Sequence, residues 1–437
     1  MRNMRLKIIT LGCSKNTVDS EHLLALLPRE AYTIAGPLQE ADVLLVNTCG
    51  FIGDAKEQSI QAILEAVEQK KAGLAAKVVV FGCLSQRYES ELRQEIPEVD
   101  AWFGARDLDP IVKYLGFEPG SGRNSRVLTD PSLPYAFLKI SEGCDRRCSY
   151  CAIPFIRGAH RSVPMEDILE EAGQLAGNGV RELVIIAQDS TYYGLDLYKK
   201  RMLAPLLRSL TAVEGVERVR IHYSYPDNFP EDVLDEMASN PKICRYLDIP
   251  LQHISDKVLR NMHRGVTGRW TRDLVRRMRE KVPGVVLRTT FIVGHPGEGE
   301  EEFRELLDFV REVRFERMGA FTYSEEDGTW GAANLADEVP QEEKERRLDE
   351  LMTLQSEISL SRNLERVGKV ETVLVDACSD GVLVCRSEAE SPEVDGEIAV
   401  RLPDGEDPSA YVGRFIKVKI TAADEYDLTA QLVSSGW

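Results

Sequence analysis

Short apolar runs recur along most of the chain, and the segments between them carry apolar residues at helical spacing. Runs at 7–11, 43–46 and 78–81 read as strands, each followed by a helical pattern at 17–27, 55–70 and 86–95. Strand-then-helix repetition predicts a parallel sheet whose ligand site lies at the carboxyl ends of its strands. Residues 116–134, with Pro119, Gly120, Gly122, Pro131 and Pro134, read as a linker. Beyond it, apolar runs at 135–140, 182–187, 218–223, 246–251, 285–293 and 318–323 alternate with helical patterns such as 165–176, 270–281 and 300–313. Six such units predict a complete or partial barrel of the parallel (βα) kind.

The period then changes. Residues 341–366 are charged and helix-prone, with Leu348, Leu351, Leu354, Ile358 and Leu360 marking one packed face, which predicts a bridging helix. From Lys369 onward, alternation at 370–375, 381–385, 397–402 and 414–421, with turns at Asp380-Gly381 and Asp404-Gly405, predicts a small antiparallel β-barrel of oligonucleotide-binding type. The fold class is therefore α/β. Its expected divisions are a parallel α/β domain at 1–118, a (βα) barrel at 131–340, the bridging helix at 341–368 and the small barrel at 369–437.

Composition changes this picture little and charge changes it more. A hydrophobic fraction of 43% and a charged fraction of 29% suit ordinary globular domains with large cores. No apolar run approaches the ~18 residues of a membrane span and no export signal is evident, so a cytoplasmic protein without membrane contact is expected, a monomer by default. The net charge of −18 argues against general affinity for polyanions. Residues 370–437 alone carry 14 acidic and 5 basic residues, a poor match to RNA and a better one to a basic partner.

The chemistry is carried by cysteine. Cys144, Cys148 and Cys151 are spaced C-x3-C-x2-C on one loop after the 135–140 run. Three such thiolates can each bind a different iron of one 4Fe-4S cube, and with no fourth cysteine nearby one iron stays open to a ligand. A zinc knot would instead need Asp145 or the more distant His160 as fourth ligand. Cys13, Cys49 and Cys83 form a second three-thiolate set, one at the end of each of the first three strands, beside Gly12, Gly50 and Gly82. Those glycines permit tight turns and close approach of backbone to an inorganic core. Cys244, Cys378 and Cys385 read as unpaired structural thiols.

Polar residues gather at the expected carboxyl ends of the barrel strands: Gln188-Asp189, Tyr225, Gln252-His253 and Gly294-His295-Pro296-Gly297. Gln188 and Asp189 suit the amine or ribose of a ligand, and the glycines near 294–297 suit its close approach. His253 and His295 are not spaced as a metal pair and read as hydrogen-bonding loop residues.

With both cysteine sets in view, the chain resembles the radical S-adenosylmethionine methylthiotransferases almost end to end. The resemblance rests on Leu11-Gly12-Cys13-Ser14-Lys15-Asn16, Asn47-Thr48-Cys49-Gly50, Gly82-Cys83-Leu84 and the Cys144 loop continuing to Ile153-Pro154-Phe155-Ile156-Arg157-Gly158. Stretches at 139–145, 187–189, 246–253 and 287–294 are most similar to the branch that modifies ribosomal protein S-twelve; a tRNA-modifying branch is the nearest rival. Two departures stand out. Ser14 replaces a usual proline and His295 a usual phenylalanine, and neither removes a cysteine.

The resemblance implies two 4Fe-4S clusters, a radical one on Cys144, Cys148 and Cys151 and an auxiliary one on Cys13, Cys49 and Cys83. It implies that one S-adenosylmethionine is cleaved to a 5'-deoxyadenosyl radical and a second donates methyl, so that a methylthio group reaches the β-carbon of an aspartate of ribosomal protein S-twelve. No side chain need act as a catalytic acid or base, because the cofactor carries the chemistry. Tyr150 is implied to pack on the adenine, and Gln188 and Asp189 complete the expected cofactor contacts. An electron donor such as flavodoxin or ferredoxin is implied as a partner, and the terminal barrel is implied to be a TRAM domain. A non-catalytic iron-sulfur scaffold or electron carrier is the rival of another class.

Overall fold

The computed structural model describes residues 3–36, 39–120, 125–402 and 406–433. The expected turn at Asp404-Gly405 and the linker residue Gly122 lie outside the described residues. Strands β1 (Met4–Thr10), β2 (Tyr32–Ile34), β3 (Ala41–Thr48), β4 (Ala75–Gly82) and β5 (Ala101–Trp102) form one parallel sheet in the order β2-β1-β3-β4-β5. Helices α1 (Ser14–Leu26), α2 (Gly53–Lys71) and α3 (Cys83–Glu95) follow β1, β3 and β4. The near-continuous apolar runs of β3 and β4 reflect burial on both faces. Val43, Leu45, Val79 and Phe81 pack with Leu23 and Leu24 of α1, whereas Leu44, Val46, Val78 and Val80 pack with Ile63, Ala66 and Val67 of α2. Strand order reverses between β1 and β3, which makes the carboxyl ends of those strands the natural ligand crevice. At three and two residues, β2 and β5 are too short to show alternation in the sequence.

The expected linker is a packed strap over its described part. Arg126 is buried, with its guanidinium bonded to Glu21 of α1 and to the Phe137 carbonyl and 3.2 Å from Glu171.

The central unit holds β6 (Tyr135–Lys139), a short hairpin of β7 (Ser141–Glu142) with β8 (Arg161–Ser162), then β9 (Glu182–Ile186), β10 (Arg218–Ile221), β11 (Ile243–Asp248), β12 (Val286–Val293) and β13 (Arg317–Thr322). The six long strands pair in parallel, in the order β13-β12-β11-β10-β9-β6. The first and last are not paired to each other, so the barrel is open. Alternation divides its faces. Leu183, Ile185, Val219, Ile221, Leu247, Leu287 and Phe291 join the helices in the largest core, while Glu182, Arg220, His222, Tyr246 and Arg288 lie on the inner face.

The helix Gln341–Leu364 packs Leu351 and Ile358 into that core. It leads to β14 (Val370–Ser379), β15 (Val382–Arg386), β16 (Ile398–Arg401), β17 (Phe415–Ala423) and β18 (Leu428–Leu432), which close into a barrel in the order β14-β15-β16-β18-β17. Two expectations need correction. A fifth strand, β18, closes the barrel, and it pairs in parallel with β16, so the barrel is not wholly antiparallel. Parallel pairing lets one sheet edge return to the other without a hairpin, and such non-local register leaves no local signal.

Candidate functional site

β1, β3 and β4 end at Cys13, Cys49 and Cys83, and the glycines beside them explain how the three loops meet. A Cβ on Gly12 would stand 2.7 Å from the Cys49 Cβ and 2.9 Å from its Sγ. One on Gly50 would meet the Leu84 backbone at 2.7 Å and the Cys83 carbonyl carbon at 2.9 Å, and one on Gly82 the Thr48 carbonyl at 2.6 Å. Gly12 and Gly82 also hold φ of +93° and +108°. The space these glycines open is therefore filled by the neighbouring cysteine loops, which draws the three thiols together at the crevice between β1 and β3.

Cys144, Cys148 and Cys151 lie between β7 and the short helix Ile153–Arg157. Asp189 holds this loop: it accepts from Thr191 N at 3.0 Å and Thr191 Oγ1 at 2.5 Å, and from Arg146 Nε at 2.9 Å. Arg146 in turn lies over the Tyr225 ring at 3.9 Å. Arg264 stands 3.7 Å from Cys148 Sγ through Nη1 and donates to the Pro250 carbonyl at 2.6 Å. Asp145 accepts from His160 N at 3.0 Å, and His160 Nε2 lies 3.1 Å from Ser162 Oγ.

The two thiol sets share one wall. Cys83 packs in a small apolar cluster with Ala105, Ala152 and Ile156, directly beside Cys151. A buried polar network runs alongside, and of its members only Cys83 and Gln188 were singled out as site residues by the sequence. Arg157 donates to Cys83 Sγ at 3.1 Å, Asn16 Oδ1 at 2.6 Å and Asp19 Oδ2 at 2.6 Å, and lies 3.4 Å from Glu142 Oε2. Lys139 bonds Asp19 and, at 2.7 Å, Glu142. Gln188 Nε2 donates to Glu142 Oε1 at 2.7 Å. Asp19 and Glu142 are held below the ordinary carboxylate range: burial opposes this, and the Arg157 and Lys139 charges prevail.

Burial pushes the free thiols the other way, Cys83 up to about 11 and Cys144 up to about 12, with Cys49 and Cys151 also raised. Thiols buried at this level become thiolates only with a compensating cation, which is what iron supplies. Arg157 and Arg264 add hydrogen-bond donors to sulfur. The donor chemistry and the glycine-cradled loops fit an iron-sulfur cluster on each set.

The carboxyl ends of successive barrel strands also present buried polar atoms without partners: Gln188 Oε1 after β9, Ser224 Oγ after β10, Gln252 Oε1 after β11 and His295 Nε2 after β12. Buried polar atoms are nearly always paired, so this ring marks a place where a polar ligand completes the hydrogen bonding. Tyr150 stands edge-on to His295 with centroids 6.2 Å apart, and burial drives the His295 pKa down to about 4, which keeps that ring neutral. His253 Nδ1 accepts from Ser255 N at 3.0 Å. Gly294 abuts Lys344 of the bridging helix and Gly297 abuts Asn261, so each glycine admits a neighbouring side chain. The signal available in the sequence was the cluster of polar residues just past each strand.

Three stretches match described families: residues 5–104 the uncharacterized protein family UPF0004, residues 138–310 the radical SAM superfamily and residues 367–433 the TRAM domain. Among curated proteins, the chain is 49% identical to the ribosomal protein uS12 methylthiotransferase RimO of Porphyromonas gingivalis, covering 99% of this chain and all of that one. It is 48% identical, over the same shares, to the protein of that name from Bacteroides fragilis. Among solved structures, the radical S-adenosylmethionine methyltransferase TsrM of Kitasatospora setae, with cobalamin and a [4Fe-4S] cluster bound, aligns with a TM-score of 0.56 at 14% identity, over 94% of this chain and 85% of that one. That likeness is one of fold. With near-half identity along almost its whole length, the chain belongs to the RimO family of methylthiotransferases, within the radical S-adenosylmethionine superfamily.

Proposed function

We propose that this protein adds a methylthio group to the β-carbon of an aspartate in ribosomal protein S-twelve. The observation that carries this reading is the pair of three-thiol sets facing each other across Arg157 and the Ala152 cluster, in a chain nearly half identical to uS12 methylthiotransferases. Cys144, Cys148 and Cys151 would hold one 4Fe-4S cluster and Cys13, Cys49 and Cys83 the other. Bound there, reduced clusters and S-adenosylmethionine supply hydrogen abstraction, sulfur and a methyl group.

The remaining work belongs to side chains already described. Gln188, Gln252 and Ser224 present unpaired oxygens to the amine and hydroxyl groups of S-adenosylmethionine, and Tyr150 offers an apolar face beside them. Asp189 acts on the cofactor through Arg146, by fixing the loop that bears the cysteines. Neutral His295 keeps a positive charge away from the sulfonium. Arg157 ties the N-terminal sheet to the barrel, so both thiol sets keep a constant separation. An enzyme of net charge −18 suits a basic ribosomal protein as partner. A flavodoxin or ferredoxin is the proposed electron donor, the cytoplasm the compartment and the monomer the working unit; among the described residues no helix is long and apolar enough to cross a membrane.

The test is to supply the anaerobically reconstituted protein with reductant, sulfide and S-adenosylmethionine, together with ribosomal protein S-twelve or tRNA, and to weigh each product by mass spectrometry. A methylthio increment on one aspartate peptide is expected. An increment on tRNA alone would overturn the reading. The combined Cys13→Ala, Cys49→Ala and Cys83→Ala variant should still release 5'-deoxyadenosine while transferring no methylthio group.

A further inference from the structure

Most buried cations near the two thiol sets have fixed partners, Arg264 among them through the Cys148 sulfur and the Pro250 carbonyl. Arg157 and Lys139 share Asp19 and Glu142, Arg146 has Asp189, and Arg288 has Asp248 at 2.9 Å. Lys15 is different. It is 8% exposed, and its ammonium lies 3.1 Å from the centroid of the Tyr223 ring. Among the described residues no hydrogen bond or ion pair reaches that ammonium. Asp248, beside Tyr223, already accepts from Tyr223 N at 3.1 Å and pairs with Arg288. His222, next along β10, is pushed down to about 3 by burial, and is neutral.

A lysine whose stem is buried and whose ammonium has an aromatic face but no protein anion keeps that charge free for the anion of a ligand. Its position says which ligand. Lys15 follows Cys13 by two residues on α1, and Val18, one turn further on, packs on Phe137, Val184 and Ile186 of the inner barrel face. Lys15 thus hangs over the mouth of the barrel from the side of the auxiliary thiols. On the Cys144 loop, Arg146 is paired with Asp189 and Asp227 but keeps a buried Nη2 without a partner, which offers the methionine carboxylate of S-adenosylmethionine a donor on its own loop.

We infer that Lys15 binds the side-chain carboxylate of the target aspartate and so selects an acidic residue and presents its β-carbon to the site. This rests on the function proposed above. A lysine reads a carboxylate as a point charge, so the site should reject the uncharged isostere asparagine.

The experiment compares wild type, Lys15→Met and Lys15→Arg, all carrying iron and sulfide, on ribosomal protein S-twelve and on its variant with asparagine at the target position. Rates are taken from mass spectrometry and binding of the matching peptides from calorimetry. Wild type should prefer aspartate by about 10- to 100-fold, the range of one hydrogen bond between charged groups. Lys15→Met should lower that preference to about 3-fold or less, and Lys15→Arg should keep most of it. Because the preference is a ratio within one protein, partial misfolding does not move it. A wild-type preference that persists in Lys15→Met overturns the assignment while leaving the proposed function standing. A raised KM for S-adenosylmethionine with unchanged preference would give Lys15 to the cofactor instead, and also overturns it. If wild type modifies neither protein, both readings fall.

Discussion

The inner face of the barrel and the rim above it are built from the same strands and obey opposite rules. On the inner face, Glu182 of β9 accepts from Arg220 at 2.8 Å and from Arg386 of the terminal barrel at 3.0 Å. His222 Nε2 lies 2.6 Å from Ser391 Oγ, and Tyr246 donates to Asp395 at 2.7 Å. The segment from Arg386 to Asp395 thus fills the inner face with partners of matching charge; Arg317 Nε is an exception, left unpaired although its Nη2 holds Glu390 at 2.8 Å. A few residues further along the same strands, Gln188, Ser224, Gln252 and His295 keep unpaired atoms. Paired groups below serve stability; the unpaired groups above are those proposed to meet the cofactor. The terminal barrel is therefore half of the barrel's interior, in addition to any part it takes in recognition.

The largest expected break in this contrast is Glu182→Ala. Burial opposes the Glu182 charge, but Arg386, Arg220 and Arg218 hold its pKa down to about 2, and its removal strands those guanidinium groups in the interior. Denaturant unfolding should show a loss of about 3–5 kcal/mol, and a loss under about 1 kcal/mol would mean the inner face is wetter than its burial indicates.

Next comes Gly82→Ala at the rim of the N-terminal sheet. Its φ of +108° and the 2.6 Å approach to the Thr48 carbonyl predict about 1–3 kcal/mol of strain, together with loss of roughly half the bound iron as the cysteine loops part. Unchanged iron content would separate that turn from the auxiliary site.

At the barrel rim, Gln252→Leu should alter stability by less than about 1 kcal/mol, because it removes a buried oxygen that has no partner. The KM for S-adenosylmethionine should rise by about 10-fold. Destabilisation without a change in KM would make Gln252 an inner-face residue in the sense used above.

The smallest effect is one of pH. Buried His222 has its folded pKa lowered to about 3, against about 6.5 when unfolded. Between those values the unfolded chain binds the extra proton, so this contribution is complete above pH 6.5 and is lost as pH falls toward 3. Thermal unfolding of wild type and His222→Gln at pH 7.5 and pH 5 should show the wild type losing more on acidification.

Much of this was legible in the sequence, for a physical reason in each case. Cys144, Cys148 and Cys151 lie on one loop, so their spacing alone singles them out as one candidate ligand set. The long strands announce themselves because period-two or continuous burial is a local property, whereas β2, β5 and β18 carry too little pattern or depend on distant register. The network of Asn16, Asp19, Lys139, Glu142 and Arg157 was illegible as a network, since its contacts cross up to 141 residues and each charged member alone looks like a solvated charge. Asp189 stood out in the sequence as a polar residue just past a strand, but its partners Arg146 and Thr191 did not. The glycines beside the cysteines were legible as close-approach positions, yet what approaches is another cysteine loop.

By itself, then, the sequence determined the α/β plan and the six-unit barrel and singled out the two candidate thiol sets, because hydrophobic period and residue type are written residue by residue. The tertiary structure alone decided that the two sets share a wall, that the terminal barrel completes the inner face, and that Lys15 is buried with an aromatic ring in place of a carboxylate. Whether a buried charge is paired depends on which strands lie side by side, and only the folded chain brings them together.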